Sequence, residues 1–105
     1  MSQSSGTIIV EVTVVPLGTA TPSLSVYVAD VERVLAKYKN IKTRLTPMST
    51  ILEGHWEEIM TAVKEMHETP FLNGAQRVST RISIDDRRDK AITMEGKIKA
   101  VQDKL

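Results

Sequence analysis

Two stretches of this chain alternate side chains with a period of two, and they bound what it can fold into. From Gln76 to Asp85, Val78, Thr80, Ile82 and Ile84 alternate with Arg77, Ser79, Arg81, Ser83 and Asp85. From Thr7 to Val15, Ile8, Val10, Val12 and Val14 alternate with Ile9, Glu11, Thr13 and Val15, and Pro16 ends the run. Successive strand residues point to opposite sheet faces, so each stretch reads as a half-buried strand with one apolar and one mixed face. Both must find a layer to cover the apolar side.

The material between them supplies that layer. Thr21 is placed to cap a helix with Pro22 in its first turn, and Leu24, Val28, Val31, Leu35 and Tyr38 recur at helical spacing behind it. Asn40 breaks this helix. Lys42 to Thr46 and Ser49 to Glu53 then form two short extended runs around Pro47-Met48, a hairpin pattern. A second helix is expected after Gly54, with Trp56, Ile59, Val63 and Met66 on one stripe and an end near Pro70 to Gly74. Met94, Ile98, Val101 and Leu105 repeat helically despite Gly96, predicting a third helix over the tail.

The order is strand, helix, two strands, helix, strand, helix. Two helices can cover only one face of four strands, which predicts an α+β, ferredoxin-like βαββαβ two-layer sandwich with an extra C-terminal helix. Residues 1–6 are expected to be a disordered tail and residues 7–105 a single domain. Folding at 105 residues buries roughly two-thirds of the unfolded surface, which makes self-association an expectation.

The absence of cysteine excludes disulfides, thiolate metal sites and cysteine nucleophiles, and suits a reducing compartment. No apolar run approaches the roughly 20 residues of a membrane helix, and Met1 to Gly6 lacks the basic start and apolar stretch of a secretory signal. A cytoplasmic protein is expected, with no membrane partner. A net charge of +1 provides no positive field to gather nucleic acid.

If Ile8, Val10, Val12 and Val14 face the helices, the other face carries Glu11, Thr13, Arg77, Ser79, Arg81, Ser83 and Asp85. Glu11 lies mid-strand among aliphatic neighbours, where a carboxylate is expensive to bury alone, and Arg81 or Arg77 is expected to pair with it. The plain reading of this face is a solvated surface with cross-strand ion pairs; a subunit interface or a ligand site are the alternatives.

Three other functions fit less well. An RNA-binding sheet needs stacking aromatics, yet Trp56, Tyr27 and Tyr38 fall on helices and Phe71 in a loop. Leu17 to Thr21 leads into a helix start as an anion cradle does, but has no Arg or Lys. His55 and His67 are about 120° out of phase on a helix and share no metal face; His67 is placed to interact with the C-terminal dipole end.

The stretches Glu11 to Thr19, Pro22 to Ala29, Leu45 to Gly54 and Arg77 to Lys90 resemble the small thiamine-binding protein family over nearly the whole chain. Ser49 departs from the pattern, standing where a glycine is expected after Pro47-Met48. The resemblance implies a ferredoxin-like subunit that forms homodimers or homotetramers through its sheet faces. It also implies non-enzymatic binding of thiamine or its hydroxymethylpyrimidine part for transport, salvage or sensing. Thiamine is then a bound ligand, and no catalytic cofactor is implied.

By motif position, Glu11, Glu53 and Asp85 are the candidate carboxylates for the thiazolium charge. Thr46, Thr50, Ser23 and Ser25 are candidate hydrogen-bonders to the pyrimidine, with Met48 as an adaptable apolar wall. Each has a plainer role: Ser23 and Ser25 in helix capping, Glu53 at the start of the second helix, Met48 in packing, and Asp85 in a solvated charged turn. A structural or regulatory oligomer without a small ligand is the alternative from another class.

Overall fold

A computed structural model describes residues 6–105, so the tail expected over residues 1–6 lies, except for Gly6, outside the described residues. The elements are β1 (Thr7–Pro16), α1 (Ser25–Leu35), β2 (Lys42–Leu45), β3 (Thr50–His55), α2 (Trp56–Leu72), β4 (Val78–Asp85) and α3 (Met94–Gln102). The four strands form one antiparallel sheet in the order β2-β3-β1-β4, the ferredoxin-like arrangement expected from the element order. Among the described residues no helix is long and apolar enough to cross a membrane.

Register explains the core. Val10 lies between Leu52 and Ile84, and Val12 between Thr50 and Ile82, so these residues share a face. Ile8, Val10, Val12 and Leu52 pack there against Val31 and Leu35 of α1 and Ile59, Ala62, Val63 and Met66 of α2. Burial of each large aliphatic contributes roughly 1.5–3 kcal/mol.

Three boundaries differ from the sequence reading. Helix α1 starts at Ser25, with Leu24 as an N-cap that makes no side-chain bond, so Thr21 is not its cap and Pro22 is not in its first turn. Pro22 disfavours helical backbone at Thr21. Instead the Thr21 hydroxyl accepts from the Ser23 N–H (3.2 Å), and its carbonyl accepts from Thr19 Oγ1 (2.8 Å).

Strand β3 continues past Glu53, where the extended run was expected to end, through Gly54 to His55, and α2 follows directly at Trp56. A Cβ at Gly54 would stand 3.4 Å from both the Asn40 carbonyl oxygen and Ile59 Cδ1, so glycine permits the close approach of the α1–β2 connection and α2. Glu57 and Glu58 in the first turn of α2 suit its positive N-terminal end. Helix α3 ends at Gln102, short of Leu105, and of its stripe Met94 is buried while Ile98 and Val101 are exposed.

The sheet face opposite the helices is not bare. Ile92 and Met94 bury against Ile9 and Ile51 and form a second, smaller apolar cluster there. Thr93 caps α3 by accepting from the Gly96 N–H at 2.9 Å. The start of α3 thereby covers one end of the open face and leaves the end near Glu11 and Thr13 accessible.

Candidate functional site

The accessible end of the sheet is organised by the β2–β3 turn, whose residues use most of their polar groups to hold its shape. The Thr46 N–H and hydroxyl both donate to the Ser49 carbonyl, at 2.8 and 2.9 Å. The same hydroxyl accepts from the Ser49 N–H at 3.0 Å and the Met48 N–H at 3.2 Å. Pro47 suits such a turn because its φ is already fixed. Met48 is left at the tip, 84% exposed.

On the helix side of this turn is a cavity of about 170 Å³ between α1 and the sheet. Its walls include Val12, Val14, Leu24, Val28, Thr50 and Met66. Thr50 is buried, and its hydroxyl donates to Glu32 Oε2 of α1 at 2.8 Å. Thr50, bonded to a half-buried carboxylate, thus stands in the wall of a mostly apolar slot that Thr13, Thr46 and Ser49 also line. Sequence reasoning missed Glu32. Its signal was helical spacing, since Glu32 lies four residues after Val28 and three before Leu35, beside the inward stripe.

On the open side of the same turn, a groove is lined by Glu11, Thr13, Met48, Ser49, Arg81 and Ser83. Ser49 Oγ donates to Glu11 Oε2 at 2.7 Å. The expected pairing of Glu11 with an arginine is not what forms: Ser83 stands opposite Glu11, and Arg81 opposite Thr13. Arg77 precedes β4, where its carbonyl accepts from the Leu17 N–H. Among the described residues neither arginine makes an ion pair with a carboxylate. Ser49, at the position where a glycine was expected, is therefore the residue that holds Glu11.

The structure brings some of the sequence-predicted residues together and separates others. Glu11, Met48, Thr46 and Thr50 gather around the turn, with Thr13, Met48 and Ser49 shared by the cavity and the groove. Ser23 and Ser25 are exposed at the start of α1, their hydroxyls 3.5 Å apart, on either side of the cavity-lining Leu24.

Glu53 and Asp85 lie elsewhere, on either side of Ile9 in the sheet register. Glu53 Oε1 accepts from the Met94 N–H at 2.7 Å, and Asp85 accepts from Lys97 Nζ. Both are engaged by α3. Glu95 of that helix accepts from Lys42 (3.0 Å) and Arg44 (3.1 Å); chiefly the Lys42 hydrogen bond holds its carboxyl below the usual glutamate range. His67 bonds Thr80 Oγ1 through Nδ1 at 2.6 Å and meets the Phe71 ring edge-on.

A family model described as thiamine-binding protein matches residues 10–102. The chain belongs to this thiamine-binding protein family. The UPF0045 protein YqgV of Bacillus subtilis is 48% identical over 100 residues, covering 92% of this chain and 96% of the relative. A crystal structure of a Methanocaldococcus jannaschii protein superposes with a TM-score of 0.84 at 40% identity, covering 92% of this chain and 97% of that one. A Thermotoga maritima protein, described as a candidate for thiamine biosynthesis or salvage, gives a TM-score of 0.75 at 26% identity, covering 90% and 98%. The thiamine-binding family is named for binding and not for a reaction, in keeping with a site made of hydrogen-bonding and apolar side chains.

Proposed function

We propose that the protein binds thiamine, or its hydroxymethylpyrimidine part, at the Thr46 to Thr50 turn without transforming it. The observation that carries this reading is Thr50, hydrogen-bonded to Glu32, in the wall of a mostly apolar cavity of about 170 Å³. An apolar cavity of about 150 Å³ holds one benzene-sized ring. The cavity therefore suits the aminopyrimidine, with the Glu32 carboxylate accepting from its amino group and the Thr50 hydroxyl serving a ring nitrogen. The thiazolium then lies past the turn, against Met48 and close to the Glu11 carboxylate, which balances its positive charge.

In this proposal Ser23 and Ser25 border the cavity at the start of α1, whereas Glu53 and Asp85 act on the ligand only through α3. The proposal extends to a cytoplasmic homo-oligomer whose open sheet faces meet, with transport, salvage or sensing as its use. Support for the compartment is the cysteine-free composition.

Titration calorimetry with thiamine, thiamine phosphate and free hydroxymethylpyrimidine tests the reading. Thiamine at a hundredfold excess over its dissociation constant should stabilise the fold by about 2.7 kcal/mol. Glu11→Gln should weaken thiamine while leaving the uncharged pyrimidine unaffected. No heat and no thermal shift at millimolar ligand, for any of the three, overturns the proposal.

A further inference from the structure

The loop after β1, Leu17 to Thr21, has no cation of its own, and the fold brings one to it from just before β4. The Leu17 N–H donates to the Arg77 carbonyl at 2.8 Å, which continues the β1–β4 pairing one step past Pro16 opposite Val78 and holds Arg77 beside the loop. Between this loop, the first turn of α1 and the α2–β4 connection lies a cavity of about 380 Å³, lined among others by Gly18, Thr19, Tyr27, Gly74, Gln76 and Arg77. It shares no residue with the cavity at Thr50 or the groove at Glu11. Gly18 (φ 75°) and Gly74 (φ 100°) hold left-handed backbone, which favours glycine, and no heavy atom lies within 4 Å of where a Cβ would stand at either. The two turns thus leave open space around them.

The cavity is rich in donors and has no acid in its wall. Among the described residues the Arg77 guanidinium makes neither an ion pair nor a hydrogen bond to protein. The half-buried Tyr27 hydroxyl and the Gly18, Thr19 and Gln76 N–H groups likewise have no protein acceptor. Asp30, one turn along α1 from Tyr27, is already engaged by Arg33 and by Asn73 Nδ2. A ligand that satisfies this set is negatively charged and accepts on several sides. Guanidinium–phosphate pairing is two-pronged and charge-assisted, and loop N–H groups add donors around a tetrahedral anion.

We propose that this cavity binds the phosphate group of a small phosphate monoester, with Arg77 as the two-pronged partner and the Tyr27 hydroxyl and the Gly18, Thr19 and Gln76 N–H groups as further donors. Its size falls at the lower end of the roughly 300–1,000 Å³ of small-molecule sites, which leaves room beside a phosphate for a compact organic part. The site is separate from the thiamine site and does not rest on that reading. Its arginine is invisible to local sequence reasoning, because Leu17 and Arg77 meet only through the pairing of β1 with β4.

Nuclear magnetic resonance of the isotope-labelled protein tests the site, with inorganic phosphate and glycerol 2-phosphate titrated in turn at an ionic strength held constant by sodium chloride. The Gly18, Thr19, Gln76 and Arg77 amide signals should shift together and saturate, with a dissociation constant on the order of 1 mM for each anion. Arg77→Gln should weaken both anions about tenfold or more, as loss of a hydrogen bond to a charged group implies. The contact with Leu17 uses the Arg77 carbonyl, which glutamine retains, and unmoved signals over β1 and β4 check that the variant is folded. Lys39→Gln removes the same charge beyond the other end of α1 and should leave binding unchanged. Shifts that do not saturate, that respond to Lys39→Gln as much as to Arg77→Gln, or that centre on other residues overturn the proposal. Saturation by inorganic phosphate but not by the ester overturns the monoester as ligand.

Discussion

Thr50 Oγ1 lies 2.8 Å from Glu32 Oε2, a hydrogen bond that joins β3 to α1 across the helix–sheet boundary. Thr50 is opposite Val12 in the register, so the bond ends on a strand position that the pleat turns toward the core. A β-branched residue suits that position, and its hydroxyl gives the half-buried carboxylate a partner. The pair is thus a tie between layers, and its Thr50 member is part of the cavity wall.

Thr50→Val keeps the shape and removes the donor. It should lower stability by about 1 kcal/mol in a urea titration, because Glu32 loses its hydrogen bond while staying half-buried. Glu32→Gln keeps a hydrogen-bonding side chain and should leave stability nearly unchanged. On the proposed reading it weakens hydroxymethylpyrimidine about tenfold by calorimetry, about 1.4 kcal/mol. Unchanged affinity in Glu32→Gln would move the ligand away from α1.

Leu52 is fully buried between β1 and β2 and contacts both helices' packing layer. Leu52→Ala should cost about 2–5 kcal/mol, the transfer term plus whatever cavity the neighbours fail to close. Loss at the low end would mean that Ile59 and Met66 collapse into the space. Exposed Leu72, 83% accessible at the end of α2, is the control and should cost less than about 0.5 kcal/mol as alanine.

Much of this fold is legible in the sequence because period dominates it. The alternation of Val10 and Val12 with Glu11 and Thr13, and of Ile82 and Ile84 with Arg81 and Ser83, assigns the two sheet faces without any tertiary knowledge. What alternation cannot supply is register. Glu11 and Arg81 lie on the same face, but the two-residue offset that puts Arg81 opposite Thr13 depends on the whole sheet. Thr21 looked like a cap because capping chemistry is local, whereas the Thr21–Ser23 turn uses the same hydroxyl before the helix begins. Glu53 reads locally as a ligand carboxylate or a helix-start residue, since its partner, the Met94 N–H, is 41 residues away.

That long-range contact carries its own prediction. Glu53 caps the first turn of α3, and with Thr93 it satisfies N–H groups that a helix start otherwise leaves unpaired. Glu53→Ala should therefore loosen α3 and the Ile92–Met94 cluster while sparing the main core. Hydrogen exchange should rise selectively over Met94 to Gln102, with β1, β3 and α2 protected as before. A uniform rise across the chain would show that α3 and the sandwich unfold as one unit.

The contact between the α1–β2 connection and α2 should show itself in the pH dependence of stability. Glu65 accepts from Lys37 Nζ and, at 2.6 Å, from the Tyr38 hydroxyl. The Lys37 hydrogen bond, then that of Tyr38, holds the Glu65 carboxyl below the usual glutamate range. The hydrogen bond to Glu65 in turn raises the Tyr38 hydroxyl above its ordinary value, helped by burial. A depressed acid contributes stability that is complete above its unfolded pKa of about 4.3 and is lost as pH falls through the folded value. A raised phenol contributes stability that is complete below about pH 10 and is lost as pH rises through its folded value. Wild type should therefore lose more stability than Glu65→Gln on acidification below about pH 4.3, and more than Tyr38→Phe on passing above about pH 10. Because Glu65 is solvent-screened, the acid-side difference should shrink in high salt. Parallel acid profiles for wild type and Glu65→Gln would show that the contact forms equally well with the carboxyl protonated.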